Sequence, residues 1–181
     1  ILDTGQFAAG VRLDPGPGHD SIRLVDGAEV VYRPGGGIDT FTLDSARSTA
    51  RIALPDLAST DARARFANGA REDVVIGLGG GLLVLKGALG TIGAPLIDFG
   101  LDGVVWDAST LAQAVIAAQS SDGPDLIRGS DGDDTIAGGF GDDEIEGGRG
   151  DDTYIFARFG GQDVIDDERG DDRLEILGFT P

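Results

Sequence analysis

Glycine and aspartate recur together every nine residues between Ser120 and Ile155, in the units SSDGPDLIR, GSDGDDTIA, GGFGDDEIE and GGRGDDTYI. Glycine holds the fourth position of each unit, aspartate the sixth and a large apolar residue the eighth. A carboxylate beside a tight glycine turn can ligate a hard cation through oxygen. The chemistry indicated is therefore cation binding, and the repeated aspartates are Asp125, Asp134, Asp143 and Asp152.

The same repeat predicts the elements that position these carboxylates. In each unit about six residues turn and about three form a short strand whose central apolar residue points inward. Two units complete one coil, so turns two units apart stack on the same side. The expected fold is all-β: a parallel β-roll (β-solenoid) of nonapeptide half-coils, with irregular flanking strands and hairpins and one short helix.

Stacking of alternate units pairs aspartates of neighbouring coils around shared ions. Asp125 is expected to face Asp143, and Asp134 to face Asp152; after a two-residue insertion, looser units extend these pairings to Asp163 and Asp172. Calcium suits such turns because it takes about six to eight oxygens in flexible geometry. Carbonyls at odd turn positions are expected to complete the sites, namely those of Ser120, Asp122, Pro124, Gly129, Asp131, Asp133, Gly138, Phe140, Asp142, Gly147, Arg149 and Asp151.

A weaker set of similar units lies near the N-terminus. PGPGHDSIR and PGGGIDTFT place Asp20 and Asp39 in the carboxylate position, and we expect these two to form a further calcium pair. Between them, LVDGAEVVY places Glu29 there and Val31 in the inward position. Glu29 is not expected to be a ligand, because its longer side chain fits the turn poorly. A solvated, metal-free upstream segment remains an alternative.

Residues 43–119 lack the repeat and carry the signals of hairpins. Asn68-Gly69 between two strand-like runs is a strong hairpin signal, and Gly100–Gly103 separates a second pair of such runs. The strands predicted in this segment are Arg63–Phe66, Asp73–Leu78, Leu82–Leu85, Leu96–Phe99 and Val104–Trp106.

One short helix is predicted over Thr110–Gln119, which is rich in alanine and has apolar residues at helical spacing. Asp107 or Ser109 is expected to cap its N-terminus. The segment Leu43–Thr60 is interrupted by Pro55 and predicts only a loop with one helical turn.

Composition restricts the partners of the chain. Its 181 residues include 14 basic and 32 acidic ones, a net charge of −18. This charge argues against nucleic acid or an anionic membrane as a direct partner and favours cations. Because cysteine is absent, disulfides and thiolate metal sites are excluded. No apolar run is long enough to span a membrane.

The nonapeptides match the G-G-x-G-x-D-x-U-x repeat of RTX (repeats-in-toxin) proteins, and GGFGDDEIE is a near-complete copy. EDVVIGLGGGLLVLKG and PLIDFGLDGVVWDASTL resemble the haemolysin-type calcium-binding-related segment that lies between repeat blocks. The resemblance implies a parallel β-roll within a large protein exported by type I secretion from Gram-negative bacteria. In that family the repeats stay unfolded in calcium-poor cytosol and fold in extracellular calcium.

On this resemblance we expect four parts: degenerate RTX-like coils over residues 1–42, a β-rich linking segment over 43–119, the calcium-binding RTX β-roll over 120–175, and a tail over 176–181 leading into a longer parent protein. The implied function is a secreted, extracellular or cell-surface calcium-binding module that supports export and folding of its parent. Its expected partners are calcium ions and, through the parent, the type I secretion machinery.

Two other functions remain as alternatives. Catalysis would need a base, but the only histidine, His19, lies in an upstream turn without a recognisable Ser/His/Asp arrangement, so we expect no enzyme activity. The chain then remains compatible with the non-catalytic part of a secreted enzyme. A glycan- or host-surface-binding module would use exposed aromatic residues. Trp106 and Tyr154 are expected in the core, whereas Tyr32 points outward by its phase.

Overall fold

The computed structural model describes residues 2–3, 11–13, 16–43, 50–67, 72–89 and 95–178. Strands predominate in this part of the chain, which contains one α-helix, so the predicted mostly-β class is confirmed. No helix within these ranges is long and apolar enough to cross a membrane. The chain forms two compact units, Ile1–Leu111 and Ala112–Pro181. The finer division into four parts stays a prediction.

The first unit contains two sheets, and its first six strands alternate between them along the chain. The six-stranded sheet has the order β1-β3-β5-β9-β8-β7, and the five-stranded sheet has the order β11-β10-β6-β4-β2. The strands are β1 (Leu2–Asp3), β2 (Val11–Leu13), β3 (Ser21–Leu24), β4 (Glu29–Tyr32), β5 (Gly37–Leu43), β6 (Arg51–Leu54), β7 (Ala62–Phe66), β8 (Val74–Leu78), β9 (Gly81–Lys86), β10 (Leu96–Phe99) and β11 (Val104–Trp106).

Parallel pairing joins strands two apart in the first part of this unit. β1 pairs with β3, β3 with β5, β2 with β4 and β4 with β6, all in parallel. β9 and β10 continue the two stacks in parallel on β5 and β6. β7 and β8 pair antiparallel, as do β10 and β11, so both predicted hairpins are confirmed. The Asn68-Gly69 turn itself lies outside the described residues.

Two predictions in this unit are wrong. Residues 51–54, expected in a loop, form β6 between β4 and β10 because Ile52 and Leu54 alternate into the core; the expected helical turn is a short 3-10 turn at Ser59–Asp61. In β4 the buried residues are Val30 and Tyr32, not Val31. The inward-facing positions of β4 are displaced by one residue from the predicted ones, because the strand is aligned by its pairing with β2 and β6 rather than by a strict nine-residue count.

The second unit begins within the helix α1 (Ala108–Ala117), whose N-terminus is capped as predicted: the backbone N–H of Thr110 donates to Oδ1 of Asp107 at 2.8 Å. Two three-stranded parallel sheets follow, with orders β12-β14-β16 and β13-β15-β17. Consecutive strands thus belong to different sheets. They are β12 (Leu126–Arg128), β13 (Thr135–Ala137), β14 (Glu144–Glu146), β15 (Thr153–Ala157), β16 (Val164–Asp166) and β17 (Arg173–Leu177).

The strand register keeps the repeat columns aligned. Ile127 pairs with Ile145, which pairs with Ile165, while Ile136 pairs with Tyr154, which pairs with Leu174. The inserted residues Phe156 and Ala157 lengthen β15 and pair with the last two residues of β17. The insertion therefore extends a strand and leaves the turns in register.

The repeats of the second unit enclose a narrow apolar cluster. Its buried residues are the eighth-position side chains of the first four repeats together with Ile116 from α1. In the last two units the same column is exposed, by 37% at Ile165 and 56% at Leu174, although both were expected to point inward into the core. No further coil covers these side chains within the described residues. Apolar burial is thus concentrated in the first four units.

Candidate metal centre

One repeated hydrogen bond aligns the sixth-position aspartates of stacked turns. The backbone N–H of Asp125 donates to Oδ1 of Asp143 at 3.0 Å, and that of Asp134 donates to Oδ1 of Asp152 at 2.8 Å. The later carboxylate of each pair therefore accepts a hydrogen bond from the turn stacked on it, two units earlier in the chain. The structure brings together all four predicted pairs of the second unit. The remaining bonds run from Asp143 to Asp163 and from Asp152 to Asp172, at 3.1 Å each.

Fourth-position glycines make this close stacking possible. Gly141 and Gly150 have φ angles of 124° and 112°, which L side chains rarely adopt. A Cβ at either position would also lie 2.5 Å from the backbone of the turn stacked on it, at Gly123 and Gly132 respectively. Both the conformation and the spacing of the turns therefore require glycine.

The second oxygen of each carboxylate is treated differently in successive repeats. In the second repeat, the backbone N–H and the hydroxyl of Ser130 donate to Oδ2 of Asp134 at 2.7 and 2.9 Å. Ser121 makes the equivalent contacts with Asp125 in the first repeat. The third and fourth repeats have glycine in place of this serine. Serine thus satisfies the first two carboxylates from within their own turns.

In the part of the chain that the structure describes, two buried carboxylate oxygens have no hydrogen-bond partner: Oδ2 of Asp143 and Oδ2 of Asp152. The two residues are 2% and 1% exposed. A buried polar atom left unpaired costs about 1–3 kcal/mol, and more when it is charged. Glycine leaves room for the carboxylates themselves, since a Cβ on Gly138 would clash with Oδ2 of Asp143 and one on Gly147 would lie 2.7 Å from Oδ2 of Asp152. Unpartnered carboxylate oxygens are the ligands that an oxygen-seeking cation prefers.

Burial and like charges oppose ionisation in this stack. Burial, followed by the charges of Asp134, Asp167 and Asp172, raises the pKa of Asp152 to about 6. Burial also raises the pKa of Asp134, although hydrogen bonds from Ser130 oppose that shift. A cation placed among these groups would remove the repulsion and favour their charged forms.

Exposed aspartates at the fifth position form a second series of turn-to-turn hydrogen bonds. In this series the later turn donates to the earlier one, the reverse of the sixth-position series. The N–H of Asp151 donates to Oδ1 of Asp133, and the N–H of Asp171 donates to Oδ1 of Asp151, each at 2.9 Å. Asp142 accepts in the same way from Gln162 on the other side. Each of these carboxylates therefore hydrogen-bonds the backbone of a neighbouring turn. The role of their backbone carbonyls as calcium ligands, like that of most predicted carbonyl ligands, stays a prediction. Among those carbonyls, that of Gly138 accepts from the Ser120 hydroxyl at 2.7 Å.

Asp167 is a site residue that the sequence prediction missed. Its carboxylate lies with those of Asp152 and Asp172, and one oxygen from each of the three lies within 4.8 Å of the others. Among the described residues this is the one such cluster of three acidic, histidine or cysteine side chains. The signal was present in the sequence, because Asp167 takes the first position of the last unit, where Gly147 stands one coil earlier.

The upstream pair reproduces the turn-to-turn hydrogen bond. The N–H of Asp20 donates to Oδ1 of Asp39 at 3.0 Å. Oδ2 of Asp39 accepts a hydrogen bond from the Tyr32 hydroxyl, and both side chains are buried. Tyr32, expected to point outward, is thus part of the core, and Glu29 is exposed. The structure brings Asp20 and Asp39 together but provides protein donors for both oxygens of Asp39.

Comparison with known proteins identifies one segment of the chain. Residues 120–154 match the family model of the RTX calcium-binding nonapeptide repeat in four copies. The match includes both unpartnered carboxylates and ends before the two looser units and Asp167. A search of curated proteins finds no match to the chain.

Proposed function

We propose that this chain, an RTX haemolysin-type calcium-binding repeat protein, folds its C-terminal unit into a parallel β-roll as calcium binds between stacked turns. The repeat family supports calcium as the ion. The observation that carries the proposal is the pair of unpartnered, buried carboxylate oxygens on Asp143 and Asp152. These atoms belong to turns whose other carboxylate oxygen is already hydrogen-bonded.

The protein atoms and the ions have separate tasks in this proposal. The repeated hydrogen bond from N–H to Oδ1 orients each aspartate. The unpartnered Oδ2 atoms of Asp143 and Asp152 would bind the ions, and the carboxylates of the stacked turns would contribute further ligands. One stack of turns carries Asp125, Asp143 and Asp163, and the other carries Asp134, Asp152 and Asp172. Bound calcium supplies the positive charge that the acidic turns lack.

Folding and calcium binding are expected to be linked. The apolar cluster enclosed by the repeats has five buried side chains, so apolar burial contributes little to the stability of the repeats. A ligand that binds only the folded turns stabilises them by mass action. Because each coil contacts only its neighbours, one filled site assists the next, and folding should depend steeply on calcium concentration.

The proposal extends to where the protein works. Extracellular-type calcium sites have dissociation constants of about 10⁻⁴–10⁻³ M, far above cytosolic calcium. We therefore place the folding step outside the cell, after type I secretion of a longer parent whose export and folding it supports. The repeat family and the absence of cysteine support this context.

Two competing functions have less support. The aromatic residues considered for glycan binding, Tyr32, Trp106 and Tyr154, are all at most 8% exposed. His19 accepts a hydrogen bond at Nδ1 from the backbone N–H of Ile38, which ties the only histidine into a turn. We therefore propose a non-catalytic module.

A calcium titration of the full chain tests the proposal. Far-UV circular dichroism should show strand signal rising with calcium, and calorimetry should detect binding. Chelation should reverse the change, and Asp143→Asn combined with Asp152→Asn should abolish most of it. The matched control is Glu144→Gln combined with Asp166→Asn, which removes the same number of charges from exposed strand positions and should retain it. An unchanged spectrum and no binding heat for the wild-type chain would overturn the proposal.

A further inference from the structure

We infer that Asp167 joins Asp152 and Asp172 in a three-carboxylate calcium site, which differs in charge from the other sites of the array. The inference rests on the proposed calcium function and assigns a ligand outside the sixth-position column. It also assigns Tyr154, an eighth-position core residue, the task of orienting that ligand.

Two independent observations support the site. The three carboxylates can each direct one oxygen into a cluster with mutual distances below 4.8 Å. One member, Asp152, is 1% exposed, and its Oδ2 has no hydrogen-bond partner. A group of exposed acids would be satisfied by water, whereas this buried oxygen requires another partner.

Gly147 provides the space in which these groups meet. A Cβ on Gly147 would lie 2.7 Å from Oδ2 of Asp152 and 2.5 Å from Oδ2 of Asp167, and it would clash with the Tyr154 hydroxyl. Two carboxylates and a phenol thus converge on a position that only glycine leaves open. The Tyr154 hydroxyl donates to Oδ2 of Asp167 and comes from a ring that is 3% exposed in the core. The core therefore fixes the orientation of the additional carboxylate.

The opposite stack of turns lacks this feature. The residue one insertion-adjusted coil after Gly138 is Arg158, whose guanidinium carbon lies 4.7 Å from the ring centre of Phe159. The pair of Asp143 and Asp163 therefore has no third carboxylate from the first position. Three carboxylates carry more negative charge than two, so the Asp167 site is expected to bind calcium most tightly and to prefer trivalent ions still more.

Terbium is a suitable probe because it takes oxygen ligands and emits light when a nearby aromatic side chain transfers energy to it. In the full chain, terbium should give tyrosine-sensitised emission that excess calcium displaces. Asp167→Asn should weaken the tightest site about 10- to 100-fold. The control, Asp166→Asn, removes the same charge from an exposed neighbour and should leave the titration unchanged. Tyr154→Phe should remove most of the sensitised emission.

The outcomes separate this inference from the proposed function. Equal titrations of Asp167→Asn and Asp166→Asn, with calcium still bound by both, would overturn the inference alone. Absence of calcium and terbium binding by the wild-type chain would overturn the proposed function. If Asp167→Asn does not fold at saturating calcium, Asp167→Glu decides: recovery of folding and terbium binding supports the carboxylate role, and a loss equal to that of Asn contradicts it.

Discussion

The upstream turns and the C-terminal repeats share one hydrogen bond but differ in how they treat the remaining carboxylate oxygen. Asp20 donates to Asp39 as Asp134 donates to Asp152. The free oxygen of Asp39 then receives the Tyr32 hydroxyl, whereas that of Asp152 has no partner. A glycine–aspartate turn therefore does not by itself leave a carboxylate oxygen available for an ion. Such an oxygen is left only where no second protein donor reaches it, as at Asp143 and Asp152.

The two regions also differ in apolar support. The first unit buries large side chains from both of its sheets, including Phe41, Ile52, Leu83 and Phe99. The apolar cluster enclosed by the repeats of the second unit has five buried residues, and the last eighth-position side chains are exposed. The first unit should therefore be stable without an ion, whereas the second should depend on one.

Removal of calcium should give the largest contrast between the two regions. Hydrogen exchange of the chelated chain should show fast exchange over residues 120–175 and continued protection in β3–β6 and β8–β10. The reason is that, among the described residues, the buried carboxylate oxygens without a donor, those of Asp143 and Asp152, lie in the repeats. Calcium should restore protection to the repeats. Equal protection of both regions in chelator, or their joint loss, would contradict the comparison.

Single aspartates within the repeats should differ next. Asp143 lies between two partners and has an unpartnered oxygen, while Asp125 is satisfied by Ser121 at the start of the array. Asp143→Ala should shift the calcium midpoint of folding by about tenfold or more, and Asp125→Ala by much less. Circular dichroism during a calcium titration measures both shifts. Equal shifts would contradict the proposed stacking of sites.

A smaller effect is expected from removing the upstream donor. Tyr32→Phe leaves Oδ2 of Asp39 buried without its phenol, and it should destabilise the first unit by about 1–3 kcal/mol. Urea unfolding in chelator, followed by the fluorescence of Trp106, measures the loss. The double variant Tyr32→Phe with Asp39→Asn serves as the comparison, since removing the charge should recover part of the stability. A wild-type unfolding curve for Tyr32→Phe would show that the phenol is not the deciding donor.

The smallest expected effect is a pH dependence of the calcium-free repeats. The pKa of Asp152 is raised to about 6 in the folded state, so the folded form binds a proton more tightly than the unfolded form. Stability from this group is present at low pH and is lost as pH rises through about 6. Circular dichroism in chelator between pH 4 and 7 should show that loss, and Asp152→Asn should reduce it. Stability that rises with pH over this range would contradict the assignment.

Much of the second unit could be predicted from sequence because its period fixes strand, turn and register together. Each strand occupies the same place in its repeat, and the pairing of Ile127 with Ile145 follows directly. Upstream the period is imperfect, so tertiary pairing sets the phase and buries Val30 and Tyr32. β6 was missed because its segment lacks the repeat and is interrupted by Pro55, so only its pairing with β4 and β10 reveals the strand. Asp167 was missed because it replaces the consensus glycine at the first position of its unit, and the prediction took ligand side chains only from the sixth position.

The insertion in β15 carries a consequence for how such arrays vary. Phe156 and Ala157 change the separation of stacked aspartates from 18 to 20 residues, yet the same N–H to carboxylate bond persists on both sides. The length of a strand can therefore change without a change in how the turns stack. A designed array could be given longer strands by adding residues that pair between neighbouring strands, while the turns that carry the aspartates keep their sequence.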